Sequence, residues 1–263
     1  MKTNMRFILL LIKMKISRMM AFRLSFFGVS FADGSLFFIH MLMFVIIYGH
    51  VESVGDWDRG QMIVFVGTFS LINAINMMIF FFGVNDIPRK IKTGDLDHYL
   101  TKPVNPLLRI TFENINPGSF PLVVMSVIII LYGVSEGGVT VSFASGMAYA
   151  GLALLMTLLW YDMEIIFRSI SFFFISDRGI VSLEGHMFEL NFKVPGVLYK
   201  GAFRILFYYV VPYGVMATVP AQVLTNAASV PAVLQAVCVV IAFTAFAFWF
   251  WKLGLKNYKS ASS

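Results

Sequence analysis

Charged residues are nearly absent from several long apolar stretches of this chain and crowd into the short segments between them. A helix needs about 20 mostly apolar residues to cross a bilayer. By that measure the pattern predicts six spans, at 26–49, 61–83, 115–133, 143–167, 201–219 and 232–251. The first holds Asp33, Gly34 and His40, and only 35–49 is free of acidic residues; the fifth is interrupted by Pro212. A proline is tolerated in a membrane helix when neighbours satisfy the carbonyl it frees. The expected fold class is an all-α membrane protein, a single transmembrane domain over 1–263.

The intervening segments set an orientation. Arg59 is the single basic residue of the alternate loops, which leaves 19 of the 20 Lys and Arg on one side. Cytoplasmic loops carry the excess of Lys and Arg, so both termini are expected in the cytoplasm, with the chain crossing a bacterial-type inner (cytoplasmic) membrane several times. Residues 1–25 read as an interfacial helix. Phe7, Leu10, Leu11, Met14 and Ile16 can share an apolar side while Arg6, Lys13, Lys15 and Arg18 face lipid headgroups. A plain basic flank is the alternative. No small-residue cleavage site follows the short apolar run 7–12, so no signal-peptide cleavage is expected. The uncharged link 220–231 reads either as a segment dipping back into the outer leaflet under cover of other helices or as an extension of the fifth span.

Composition sharpens this picture. Hydrophobic residues make up 59% of the chain and charged residues 13%, against about 25% charged in soluble domains. The net charge of +6 suits anionic headgroups. The basic residues flank apolar spans and form no stripe, so no nucleic acid is expected as partner. Cys238 is the one cysteine, which rules out a disulfide framework.

Candidate chemistry is sparse. No phosphate-binding Gly-x-x-x-x-Gly-Lys-Ser/Thr loop, no His-Glu-x-x-His and no marked nucleophile elbow is present. Neither a catalytic residue nor a metal or cofactor site is expected on this chain. Asp33 is the candidate intramembrane polar site, since an ionised carboxylate must face the bundle or water; a place near the inner interface, paired with Arg23, is the other reading. Asp162, Glu164 and Arg168 sit at the inner end of span four. Glu164 and Arg168 have the i, i+4 spacing of a helix-surface pair and read as a solvated helix end.

The loop 85–107 is different in kind. Asp86 can cap a short helix with Pro88 in its first turn, Gly94 breaks it, and Asp95 can cap a second turn carrying Leu96, Tyr99 and Leu100. Pro103 and Pro106 then stop regular structure. The result is a compact polar knob with apolar teeth, suited to docking a soluble partner. Its stretch Gly94-Asp95-Leu96-Asp97-His98-Tyr99-Leu100-Thr101-Lys102-Pro103-Val104-Asn105-Pro106-Leu107 resembles the loop after the second span in permease subunits of type-2 ATP-binding-cassette (ABC) exporters. The ending Trp249-Phe250-Trp251-Lys252-Leu253-Gly254-Leu255-Lys256-Asn257-Tyr258-Lys259-Ser260-Ala261-Ser262 and the two prolines of Tyr208-Tyr209-Val210-Val211-Pro212-Tyr213 to Pro220 resemble the same branch. His98-Tyr99 departs from it, standing where apolar residues are more common.

The resemblance implies a permease that pairs with a second permease, identical or homologous, and binds two cytosolic ABC ATPase subunits. ATP and Mg would then sit on those partners. It also implies that the loop acts as a coupling helix, with docking assigned to Asp86, Gly94, Asp95, Leu96, Asp97, His98, Tyr99, Lys102 and Pro103. The competing readings are an ion-coupled secondary carrier, which calls for paired intramembrane charges, and a non-transporting membrane scaffold.

Overall fold

The structure, a computed structural model, describes residues 53–174 and 178–258, together with positions 10, 11, 13–15, 17, 28, 31, 34, 35, 38 and 39, which are helical. Asp33, most of the expected first span and most of the N-terminal surface helix lie outside the described residues. The rest is all-α apart from a small antiparallel hairpin, β1 (Ser53–Val54) and β2 (Trp57–Asp58), which turns at Gly55 with φ of 63°.

Asp58 ends the hairpin and starts the first long helix. Its carboxylate accepts from the Gln61 N–H at 2.8 Å, and the Gln61 amide oxygen accepts from the Asp58 N–H at 3.1 Å, a reciprocal cap that satisfies two orphan donors. Four described helices are long and apolar enough to cross a membrane. They are α1 (Arg59–Ile79), the Pro117–Glu136 stretch containing α6 (Phe120–Glu136), the Phe143–Phe172 stretch containing α7 (Phe143–Ser169), and α12 (Val230–Asn257). They fall at the expected second, third, fourth and sixth spans. Between α1 and α6 the chain forms α2 (Phe81–Val84), α3 (Ile87–Thr93), α4 (Asp97–Leu100) and α5 (Pro106–Glu113).

Helices α1 and α6 approach so closely that their glycines have no room for a side chain. A Cβ on Gly67 would lie 2.7 Å from Ile130 Cγ1, and one on Gly133 2.8 Å from the Val64 nitrogen. Further along the seam, a Cβ on Gly60 would lie 2.5 Å from Gly137 Cα. Small residues let membrane helices pack backbone to backbone where lipid supplies no hydrophobic drive.

The expected fifth span over 201–219, interrupted by Pro212, is sharply bent. The chain makes two arms, Gly201–Val210 and Tyr213–Leu224, bent by 80°. The first arm is α9 (Gly201–Ile205) continued by a π-helical turn, Leu206–Val210; the second is α10 (Tyr213–Met216) and α11 (Thr218–Leu224). Pro212 has no N–H to carry a helix ladder through the bend. Both arms are anchored at one end of the bundle. Arg204 shares a cavity with Asp56 of the hairpin, and Asn226, just past the second arm, donates to the Thr140 carbonyl at 3.3 Å. The pair dips in from that end and returns to it, with Tyr213 at the turn beside Trp160. The dip therefore takes in far more chain than 220–231.

The rod that carries the chain back to the hairpin end is α8 (Arg178–Lys193). Its Glu184 meets Arg168 in the last turn of α7. Its Phe188 and Phe192 lie 5.4 and 5.0 Å from the ring of Phe69, in mid-bundle. Leu198, just beyond it, fills the space beside Gly55. At about 1.5 Å per residue its 16 residues span roughly 24 Å. Lys200 and Arg204 thus stand at the hairpin end, opposite the 85–107 knob, which corrects the expected charge tally at those two positions.

Candidate functional site

The knob is assembled on an apolar floor. Phe80, Val84, Ile87, Leu96, Leu107 and Ile110 form one buried cluster with Ile165 of α7 and with Ala247 and Trp251 of α12. Leu96 is 0% exposed, so of the expected teeth it points into the protein and not toward a partner. Gly94 ends α3 with φ of 77°, a left-handed position that glycine takes without Cβ strain, and its turn brings Asp95 back toward α3. At Gly83 an added Cβ would overlap the Ile110 carbonyl oxygen, so α2 and α5 touch through backbone.

Charges brace this floor. Asp86 stands at the start of α3 without capping it by side chain. Its carboxylate is taken instead by Arg89, at 2.6 and 2.7 Å, and by Lys90 at 2.6 Å. Two charge-assisted donors outcompete a backbone N–H. Arg89 also reaches Asp95 at 2.9 Å, and Thr93 donates to the same carboxylate oxygen at 2.8 Å. Asp95 therefore ties α3 to the turn and does not cap the next one. Lys90 is buried and bridges on to Glu113 of α5 at 2.9 Å. Tyr99 donates to both Glu113 oxygens at 2.8 Å, with Arg109 stacked 4.4 Å from its ring centre. Arg109 also donates to the His98 carbonyl at 3.4 Å. Lys15, from the N-terminal region, donates to Asn114 at 3.3 Å.

Of the expected docking residues, Asp86, Asp95, Tyr99 and buried Leu96 are joined by this lattice and its floor. Asp97 opens α4. His98, Lys102 and Pro103 are exposed, along with Leu100 and Thr101. Arg89, Lys90, Arg109 and Glu113 were not anticipated as bracing residues. The spacing of Arg89 and Lys90 from Asp86, three and four residues, carried that signal on one helix face; nothing in the sequence pointed from Lys90 to Glu113.

Two carboxyls of the knob, Asp86 and Asp95, titrate low. Burial pushes Asp86 up, but bonds from Arg89 and Lys90 outweigh it and hold the group below its usual 3.8. The Thr93 hydroxyl and then Arg89 lower Asp95. A folded value below the unfolded one gives stability that is complete above the unfolded value and lost as pH falls through the folded one. Thermal unfolding of the purified protein should thus keep this contribution from about pH 5 to about pH 8 and lose it only below about pH 4. A midpoint that drops steeply between pH 7 and pH 5 at the knob would contradict this.

A second polar cluster lies within the bundle. Glu164 and Arg168 are buried, not solvated as their spacing suggested. Arg168 pairs with Glu164 at 3.4 Å and with Glu184 of α8 at 2.6 Å. Trp160 Nε1 donates to Glu164 at 3.3 Å. These groups line a cavity of about 420 Å³ with Asn76 and Tyr213. Asp162 faces the other way and accepts from Thr244 of α12 at 2.5 Å. Paired intramembrane charge is therefore present beyond Asp33. No group of three or more potential metal-ligating residues occurs among the described residues.

A helical bundle with four apolar crossings and a polar knob fits a transport subunit, and comparison with known families decides which. A family model described as "ABC-2 family transporter protein" matches residues 35–262. The chain belongs to the ABC-2 transporter family. No curated protein and no solved structure matches it. An ABC-2 membrane subunit is the transport half of its system and is not itself the ATPase, and the family implies association with ABC ATPase subunits. The knob of this ABC-2 subunit links two adjacent helices, α1 and α6.

Proposed function

We propose that this chain is the permease of an ABC exporter, pairs with a second permease, identical or homologous, and is driven through its 85–107 knob by two cytosolic ATPase subunits. ATP and Mg would bind those subunits alone. The knob then faces the cytoplasm, and both termini lie on the cytoplasmic side of the cell's inner membrane. The observation that carries this reading is the cross-braced knob itself. Salt bridges and a common apolar floor fuse α3, α4 and α5 into one rigid body, while Leu100 projects from it with 40% of its surface exposed. ATP-driven closure of the ATPase pair would push on α4, and a braced unit passes that rigid-body shift to α1 and α6.

Docking and folding roles separate by substitution. Leu100→Asp should abolish copurification of the ATPase and leave the unfolding temperature of the permease nearly unchanged. Leu96→Ala empties a fully buried site and should cost about 2–5 kcal/mol, read as a lowered unfolding temperature. If Leu100→Asp still retains the ATPase, the docking assignment is wrong. The Glu164–Arg168–Glu184 cluster favours one alternative, an ion-coupled carrier. Solute movement by purified permease in liposomes without an ATPase would favour that alternative.

A further inference from the structure

Where the first arm of the re-entrant pair meets the hairpin, the protein encloses a polar cavity of about 320 Å³. Its wall includes Asp56, Tyr199, Arg204, Tyr208, Gln222 and Gln235. The base is fixed: the Gly196 N–H donates to Thr218 Oγ1 at 2.9 Å, and the Tyr208 hydroxyl would lie 2.9 Å from a Cβ added to Gly196. The Arg204 guanidinium sits 5.5 Å from the centre of the Tyr208 ring, which holds the cation beside the cavity.

One buried group here lacks a partner, and two exposed charges of opposite sign stand beside it. Asp56 and Arg204, of opposite charge, line one cavity, and neither forms an ion pair among the described residues. Tyr199 is 8% exposed, and its hydroxyl has no hydrogen-bond partner. A buried hydroxyl is ordinarily satisfied, and a cavity lining with one orphan donor calls for a polar occupant. An acceptor for an ammonium, a donor fork for anionic oxygens and a phenol between tyrosine and glutamine walls describe a site for both ends of a small dipolar molecule. The volume lies at the lower end of small-ligand pockets, about 300–1,000 Å³, and limits the occupant to headgroup size. The arm bearing Arg204 also turns Phe203, Ile205 and Val210 outward, each more than half exposed, as an apolar surface against which acyl chains can lie.

We propose that this cavity binds a compact zwitterion carrying an ammonium and a phosphate, the chemistry of a phosphoethanolamine headgroup. Arg204 donates to the phosphate oxygens, Asp56 accepts from the ammonium, and the Tyr199 hydroxyl donates to the anion. No transport step is implied, so failure of the exporter reading leaves this site standing, and the reverse.

The test uses the full chain. Nanodiscs containing phosphatidylethanolamine are compared with nanodiscs containing only phosphatidylglycerol, and free O-phosphoethanolamine is added to the latter. Bound zwitterion is counted by native mass spectrometry and by the shift in unfolding temperature. Retention of phosphatidylethanolamine alone assigns the site to lipid; equal saturation by free O-phosphoethanolamine assigns it to a soluble zwitterion. Arg204→Gln and Asp56→Asn, both at exposed side chains, should each weaken the bound form about tenfold; Tyr199→Phe, which keeps the volume, should weaken it less. The proposal fails if neither probe binds more tightly than phosphatidylglycerol. It also fails if both charge variants bind like the parent while unfolding at the parent temperature in zwitterion-free nanodiscs.

Discussion

Replacing Arg168 with methionine is expected to end transport and to destabilise the permease by about 3–5 kcal/mol. Arg168 is the cation between two carboxylates, Glu164 on its own helix and Glu184 on α8, and the three side chains are 4%, 4% and 7% exposed in the order Arg168, Glu164, Glu184. Methionine keeps much of the side-chain bulk and removes the charge, so two carboxylates would face one another without a counterion. Breaking a buried pair from one side costs more than removing the whole pair, because an uncompensated charge stays behind. The triple change Arg168→Met, Glu164→Gln, Glu184→Gln should therefore recover most of the lost stability. Unfolding in detergent, followed by intrinsic fluorescence, measures both variants. A single variant as stable as the parent would show that the cluster does not hold α8 in place.

Lys90→Met should be nearly as severe, but local. The Lys90 side chain is 4% exposed and joins Asp86 to Glu113. Its removal leaves Asp86 with Arg89 alone and Glu113 with the Tyr99 hydroxyl, at a cost of up to about 3 kcal/mol. The loss falls on 85–107 and spares the membrane helices, since local units can open below the global unfolding free energy. Hydrogen exchange should accelerate across α3, α4 and α5 and stay unchanged in α7 and α12, and stimulation of the ATPase should vanish. Arg89→Gln is the contrast. Arg89 pairs with both Asp86 and Asp95, yet its side chain is 58% exposed; exposed pairs contribute about 0–1 kcal/mol. Equal effects at the two positions would show that geometry here outweighs burial.

What the sequence revealed follows from where polar groups are satisfied. The four apolar crossings were legible because lipid tolerates no free backbone donors and few charges, so their hydropathy is unmistakable. The knob was legible because Gly94, Pro103 and Pro106 force punctuation that no membrane helix would carry. Helix α8 was not legible: Glu184, Glu189 and Lys193 lower its hydropathy, and it is Glu184's partnership with Arg168, a tertiary fact, that lets it pack inside. The Glu164–Arg168 spacing was visible, but four-residue spacing reads the same for a solvated edge and a buried pair. Leu96 and Leu100 show the same ambiguity at one turn's separation, one beneath the knob and one on top of it. Pro212 announced a break without telling whether the chain continued across or turned back.

The glycine seam between α1 and α6 has a mechanical result. At Gly60, Gly67 and Gly133 the two backbones leave no gap for slippage, and the knob closes the pair at one end. The two helices form a plank that can tilt but cannot shear. On the proposed coupling, torque delivered at the knob would carry along the paired helices to the far rim, and a doorway for cargo would open along an edge of the plank and not through its grain.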